Sequence, residues 1–411
     1  MKRLLLFIST VFVVVSCTKE HDRDDALKND KFVPISLTKA QGEITMNVNS
    51  LGFDMLSEIM SKNMSPVSDI MISPLSLSSA LAMCVNGAEG RTKEQILDLI
   101  GLQDGDVADM NSYYSLMLES LFRADKKVDF ISANSLWHQH SITLKKSYKN
   151  SIADIFDAEL KAVDFSDASS VDIINSWCSS KTNGMIPMIM KKHDPGVAVK
   201  LLNALYFKGT WKEEFKETQE KTFRHENGDI STEKTIIEIS PFKCAQTPSF
   251  KCVEIPYGNG AYVMDLLLPA EDISIHAAAE NLARGDWSEI SKKLGDKAVH
   301  LEFPTFETKY DCDFSEILIS LGMIDAFSEE ADFSNMTDAS LSITSVSQYV
   351  SINVTEKGTE ASAITDVDFG ITSPGPDDGQ DEIFEFIANR PFFYLIRESS
   401  TGVILFVGIK S

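Results

Sequence analysis

"VTEKGTEASAITDVDFGITSPGPDDGQDEIF" occupies residues 354–384. Gly358 opens a stretch of small and apolar side chains that runs out into an acidic, proline-bearing tract. From Thr359 the odd positions read Thr359, Ala361, Ala363, Thr365, Val367, Phe369 and Ile371. The even positions read Glu360, Ser362, Ile364, Asp366, Asp368 and Gly370. Small or apolar residues thus alternate with mostly polar ones, the period of a strand that buries one face. The tract beyond Ser373 is built of turn formers and carboxylates and belongs in solvent. One segment carries the demands of a packed sheet and of an exposed loop together.

The chain around it has room for both. At 411 residues and 43% hydrophobic it can bury a large core, in two domains or one big one. A formal net charge of −23 repels a phosphate backbone and argues against a nucleic-acid partner. No stretch after the N-terminus approaches the length of a membrane-spanning helix. The N-terminus itself reads as a secretory signal: Lys2 and Arg3, then "LLLFISTVFVVVS" ending at the small Ser16. Cys17 follows at once, as in bacterial lipoprotein signals whose cysteine thiol is lipidated. We therefore expect a signal at 1–16, a lipidated Cys17 on a polar tether over 17–48, and a body from Asn49 to Ser411. The location expected is the bacterial outer membrane, facing the periplasm or the surface, with lipid as the only membrane contact. Acidic residues after the cysteine resemble surface-exported lipoproteins of Bacteroides-like bacteria.

Five cysteines remain: Cys84, Cys178, Cys244, Cys252 and Cys312. An odd number without a CxxC pair suits neither a zinc site nor a disulfide framework. Cys244 and Cys252 are spaced to face each other across a hairpin, though nothing demands that they pair. Helices are expected over 73–90, ending at glycines, and over 92–100, where Thr92 and Gln95 form a capping box. Val171, Ile174 and Cys178 mark another helix, and 314–321 a short one. Residues 127–137 read as a strand. The run 197–211 is apolar apart from Lys200 and Asn203 and belongs at the centre of a sheet covered on both faces. Two closing strands, 392–397 and 403–409, meet at a turn holding Gly402. No repeat or linker divides the body, and one α+β unit fits.

Candidate chemistry is thin. There is no G-x-S-x-G nucleophile elbow and no phosphate-cradling glycine loop. His138 and His140 lack a third ligand nearby, so neither metal nor cofactor is expected. Asn203 stands apart. A polar side chain inside a buried strand needs partners or costs about 1–3 kcal/mol, and Ser73 and Ser76 in "SPLSLS" offer hydroxyls for it.

A set of ordered motifs resembles the serpin family: "SPLSLSSALAM", "GAEGRTKEQI", "ANSLW", "INSWCSSKTNGMI", "NALYFKGTW", "DFSNMT", "EKGTEASA" and "NRPFFYLIRESSTGVILFVGIK". They cover the chain from about Asn49 to Lys410. The resemblance implies three β-sheets, about nine α-helices and an exposed reactive-centre loop, here about 356–386. It also implies a monomeric suicide inhibitor of serine endopeptidases rather than an enzyme. A protease cuts the loop and forms an acyl-enzyme, and the N-terminal part of the loop then enters the main sheet as a new strand. Loop insertion in this family is one of the standard cases of strand addition and of stored strain released. The double pattern of the opening segment follows from that role.

By this resemblance Glu356 and Gly358 form the hinge, and Thr359, Ala361, Ala363 and Thr365 turn inward, small enough to enter without overpacking. Glu360 falls on the outer face. Family spacing places the reactive bond at Thr372-Ser373, with Ile371 and then Phe369 as alternative positions before the cut. No Lys or Arg occurs from Thr359 to Ala388, which disfavours a trypsin-like target and favours an elastase-like one. Ser73, Ser76, Asn203, Gln348 and Trp211 are expected to form the network under the strands that must part. Gln348 stands where most members carry a histidine, and 374–385 is several residues longer than usual. The rival reading is a serpin-fold binding or scaffold lipoprotein whose loop is merely a substrate.

Overall fold

The computed structural model describes residues 28–62, 69–182, 184, 186–359 and 383–411, without the side chains of 203–205. In chain order the elements are α1 (Lys39–Lys62), β1 (Ile70–Ile72), α2 (Pro74–Gly87), α3 (Gly90–Leu99), α4 (Val107–Arg123), β2 (Val128–Gln139), α5 (Lys146–Phe156), β3 (Glu159–Val163) and α6 (Ser169–Lys181). β4 (Val199–Thr210), β5 (Glu217–Arg224), β6 (Ile230–Gln246), β7 (Phe250–Pro256) and β8 (Tyr262–Pro269) follow. Then come α7 (Ile275–Ala283), α8 (Asp286–Lys293), β9 (Gly295–Pro304), β10 (Phe306–Asp313), α9 (Ser315–Ser320) and β11 (Val346–Thr355). The two-residue β12 (Gly358–Thr359), β13 (Phe384–Ile387), β14 (Phe392–Glu398) and β15 (Ile404–Lys410) close the chain. The α+β class and the serpin-like set of nine α-helices among the described residues agree with expectation.

Six strands form one sheet in the order β10-β11-β12-β4-β2-β3. β4 is central, as its apolar run requires. Val199, Leu201 and Phe207 face the main core, while Leu202 faces a second cluster on the other side. That second cluster is the apolar face of α6: Ile174, Trp177 and Cys178 pack with Ala133 and Trp137 of β2. The pairing of β11 has a consequence for function. Where it meets β4 directly, at Val346↔Leu201 through Tyr349↔Ala204, the two strands run parallel. At the other end β12 lies between them, antiparallel to both.

The other strands join in a nine-stranded network, β1-β15-β14-β8-β7-β6-β9-β13, with β5 on β6. The 17-residue β6 pairs with β5 at one end and β7 at the other, while β9 follows it through both stretches. This one strand fuses two of the three expected sheets into a single hydrogen-bonded network. Arg397 of β14 bonds Asp265 of β8 at 2.7 Å, also pairs with Glu254 of β7, and lies over the Trp287 ring. Burial pushes the Asp265 carboxyl up to about 6 against the pull of Arg397.

Three local readings change. The body was expected to start at Asn49, but α1 begins at Lys39. Thr38 and Gln41 cap it reciprocally, and Ile44 and Val48 are buried. Lys28 reaches Asp129 at 2.7 Å, so residues assigned to the tether pack on the body. α3 starts at Gly90, not at a Thr92 cap. Thr92 Oγ1 accepts from Asp332 N, and Gln95 Oε1 accepts from the Ile324 and Asp325 amides. Cys252 stands opposite Ala245 and Cys244 opposite Val253, so the two cysteines point to opposite faces and remain free thiols.

Candidate functional site

The hinge is built where β11 ends. Thr355 Oγ1 donates to Gly358 O at 2.9 Å and closes a tight turn. Trp211 N donates to Lys357 O at 3.1 Å, Phe215 N to Glu356 O at 2.9 Å, and Trp211 Nε1 to Thr355 O at 2.8 Å. The chain then reverses as β12. Gly358 has φ 144°, and a Cβ there would lie 2.2 Å from Gly209 O, so both the backbone and the space demand glycine. Thr359 is fully buried, its hydroxyl 2.6 Å from the Tyr257 hydroxyl. Burial holds the Tyr257 phenol protonated, and its ring stacks on Trp211 at 4.3 Å between centroids. Glu356 pairs with Lys234 of β6 at 3.1 Å. A hydrogen bond from its own amide, together with Lys234, keeps the Glu356 carboxyl below the usual glutamate range.

The opposite end of the seam is closed. Gln348 of β11 is buried, and its side-chain amide reads the main chain of Ser73. Its Oε1 accepts from Ser73 N at 2.7 Å and its Nε2 donates to Ser73 O at 3.1 Å. Ser73 Oγ accepts from Ser76 N at 3.4 Å as the N-cap of α2. The expected hydroxyl network therefore takes another form: Ser73 is bound through its backbone, and Ser76 Oγ is buried with no partner among the described residues. By register Gln348 stands opposite Asn203, and Asn203 opposite Asn134, but the Asn203 side chain lies outside the described residues.

The model of the family described as "Serpin (serine protease inhibitor)" matches residues 46–410. The chain belongs to the serpin family. Iripin-3 of Ixodes ricinus is 32% identical over 377 residues, covering 89% of this chain and 94% of that protein. The native state of tengpin, a thermophilic serpin, superposes with a TM-score of 0.81 at 29% identity, covering 94% of this chain and 97% of tengpin. Human thyroxine-binding globulin in complex with its hormone also shares the fold, with a TM-score of 0.81 at 21% identity over 90% of this chain and 98% of the globulin. Serpins are generally inhibitors of a target protease rather than catalysts.

In this serpin the expected site residues separate into two groups. Glu356, Gly358 and Thr359 meet at the hinge, and Trp211 belongs there as well. Trp211 was expected beside Asn203 and Gln348; at a rise of about 3.3 Å per residue it lies some 26 Å along the strand direction from Asn203. Ser73 and Gln348 form the closed end. Glu360, Ala361, Ala363, Thr365, Phe369, Ile371, Thr372, Ser373 and Cys17 lie outside the described residues. Sequence reading missed Tyr257 and Lys234, both of which reach the hinge from strands or turns far along the chain.

Two geometric facts govern the seam. Thr359 faces the core, in antiparallel register with both neighbouring strands. The offset between the flanking strands is also the same at both ends. Gln348 opposite Asn203 gives 348 − 203 = 145, and Val354 and Gly209, which flank Thr359, give 354 − 209 = 145. Parting β11 and β4 sideways by one strand spacing, about 4.8 Å, would therefore need no sliding.

Proposed function

We propose that this serpin is a suicide inhibitor of serine endopeptidases that traps them by inserting its cleaved loop between β11 and β4. The observation that carries the reading is β12, which already occupies one end of a parallel seam in antiparallel register with both neighbours. The period-two pattern after Thr359 continues it. In the proposed reaction the protease serine oxygen bonds the Thr372 carbonyl carbon and the Thr372–Ser373 peptide bond breaks. The Ser373 amine leaves with a proton from the protease histidine, and the ester remains. Insertion of 360–371 carries the esterified protease away before water completes the cycle. Ile371 or Phe369 before the cut are the alternative positions. An uncharged residue before the cut and the lack of Lys or Arg favour an elastase-like enzyme.

The test is to mix the protein with elastase and run a denaturing gel. A covalent band is expected at the mass of the protease plus the inhibitor up to Thr372, with the peptide 373–411 released. Clean cleavage with no such band would favour the second reading, a binding protein whose loop is only a substrate; thyroxine-binding globulin, solved with thyroxine, shows that the fold can serve binding. We further propose lipidation of Cys17 and display at a bacterial outer membrane. Cys17→Ser should release the protein from the membrane fraction, and retained association would refute the anchor.

A further inference from the structure

β13 closes the stretch expected to be the reactive-centre loop, and its backbone gives it little hold. It has four residues, lies at the end of the nine-stranded network and pairs there with β9, in parallel from Phe384↔Val299 to Ile387↔Glu302. Parallel pairing is slightly the weaker kind, and an edge strand has no second neighbour. Of its four side chains only Phe386 is buried. Side chains from the neighbouring strands add to the hold. Lys251 of β7 donates from Nζ to Glu385 O at 3.0 Å and lies over the Phe384 ring.

The second contribution comes from His300 of β9, which stands opposite Glu385 in register. Its Nδ1 lies 2.8 Å from Glu385 Oε2, and its Nε2 lies 3.2 Å from Glu302 Oε1. Glu302, two residues along the same face of β9, is also held by Lys221 of β5 at 2.5 Å. β6 places Ile237, Ile239 and Pro241 opposite Glu302, His300 and Ala298 and adds no charge to this face. Beyond Ile237, Glu217 of β5 is exposed and accepts from Gln219. The imidazole thus sits between two carboxylates, one of them shared with a lysine. An ionised carboxylate only accepts, and a neutral imidazole has a single N–H. A neutral His300 would turn the lone pair of its other nitrogen against a carboxylate oxygen. The imidazolium alone meets both Glu385 and Glu302 with a donor.

We propose that His300 is a proton-operated latch on β13: its imidazolium ties Glu385 to Glu302 and so pins the strand to β9, and loss of the proton loosens it. The sign follows from the contacts. A hold made by the protonated ring is present at acid pH and is lost as pH rises through the range in which histidines titrate. The latch is independent of the inhibitor reading, since every group in it belongs to β5, β9 or β13.

The experiment follows hydrogen exchange of the amides 384–388 in the whole chain at about pH 5.5 and about pH 7.5, either side of the range where histidines titrate. Each rate is divided by the intrinsic exchange rate at that pH. β14, held between antiparallel β8 and β15, serves as the internal reference. In the wild type, protection of β13 is expected to fall about two- to fivefold at the higher pH, the scale of a part-exposed ion pair, while β14 stays unchanged. His300→Gln keeps a donor without a titrating charge, so its β13 is expected to show the lower protection at both pH values. No fall in the wild type, an equal fall in β14, or the same fall in His300→Gln overturns the latch. Should His300→Gln fail to fold, Glu385→Gln, at an exposed side chain, supplies the second arm. It is expected to shrink the fall, and a fall as large as that of the wild type overturns the proposal.

Discussion

The two ends of the β4–β11 seam solve opposite problems. At the hinge end a strand has already entered, and each hydrogen bond it makes is one that a longer inserted strand would also make. At the Gln348 end the same two strands close on each other in parallel, a pairing slightly weaker per residue than an antiparallel one. That end is sealed by side chains instead. Gln348 binds both polar groups of Ser73, and α6 covers the outer face through Ile174, Trp177 and Cys178. The contrast suggests a division of labour in which the hinge seeds the new strand and the closed end sets the barrier. Since the strand offset is 145 at both ends, the barrier to the proposed insertion would lie in breaking contacts and not in changing register.

Blocking the inserted face should break the contrast most completely. In the proposed insertion Thr365→Arg would bring a charge to an inward position, where an unpaired buried charge costs far more than the strand can gain. The protein is expected to become a plain substrate, with covalent complex on a gel falling more than about tenfold, each tenfold being about 1.4 kcal/mol of partition. An unchanged yield would show that Thr365 does not face inward.

Opening the closed end comes next. Gln348→Ala leaves Ser73 N without a partner in a buried site and takes one of two donors from Ser73 O, which keeps Leu77 N, a loss of about 1–3 kcal/mol. The intact form is expected to melt several degrees lower. If its Tm stays put, the Gln348–Ser73 contact does not hold the seam. The smallest effect is expected from Trp211→Phe, which keeps an aromatic stack on Tyr257 but removes the 2.8 Å bond to Thr355 O. A loss of about 1 kcal/mol should appear as faster amide exchange over Thr355–Thr359 with little change at Gln348. Equal acceleration at both ends would mean that the seam opens as one unit.

What the sequence made legible was what local pattern encodes. The apolar run around Asn203 could only be a central strand, the closing hairpin around Gly402 followed from its turn, and the alternation after Gly358 foretold which way Thr359 faces. Partners distant in sequence were not legible. Trp211 was grouped with Asn203 because they share one strand, yet the strand's length separates them. Tyr257 follows a strand in "PYGNG", with nothing to mark it as the partner of Thr359. The start of α1 was within reach, since Thr38 and Gln41 form a recognisable capping box before Ile44, Val48 and Leu51, but the apolar spacing there is sparse. The Arg397–Asp265–Glu254 cluster needs the β7-β8-β14 order before its charges can be seen to meet.

The central claim is that the severed segment can occupy the seam. Its most direct test is the unfolding temperature of the protein before and after a single cut in the loop. A completed central strand replaces the weak parallel pairing with two antiparallel ladders, so the nicked molecule should melt far above the intact one. Identical melting temperatures would contradict the account, for they would mean that β11 and β4 never parted.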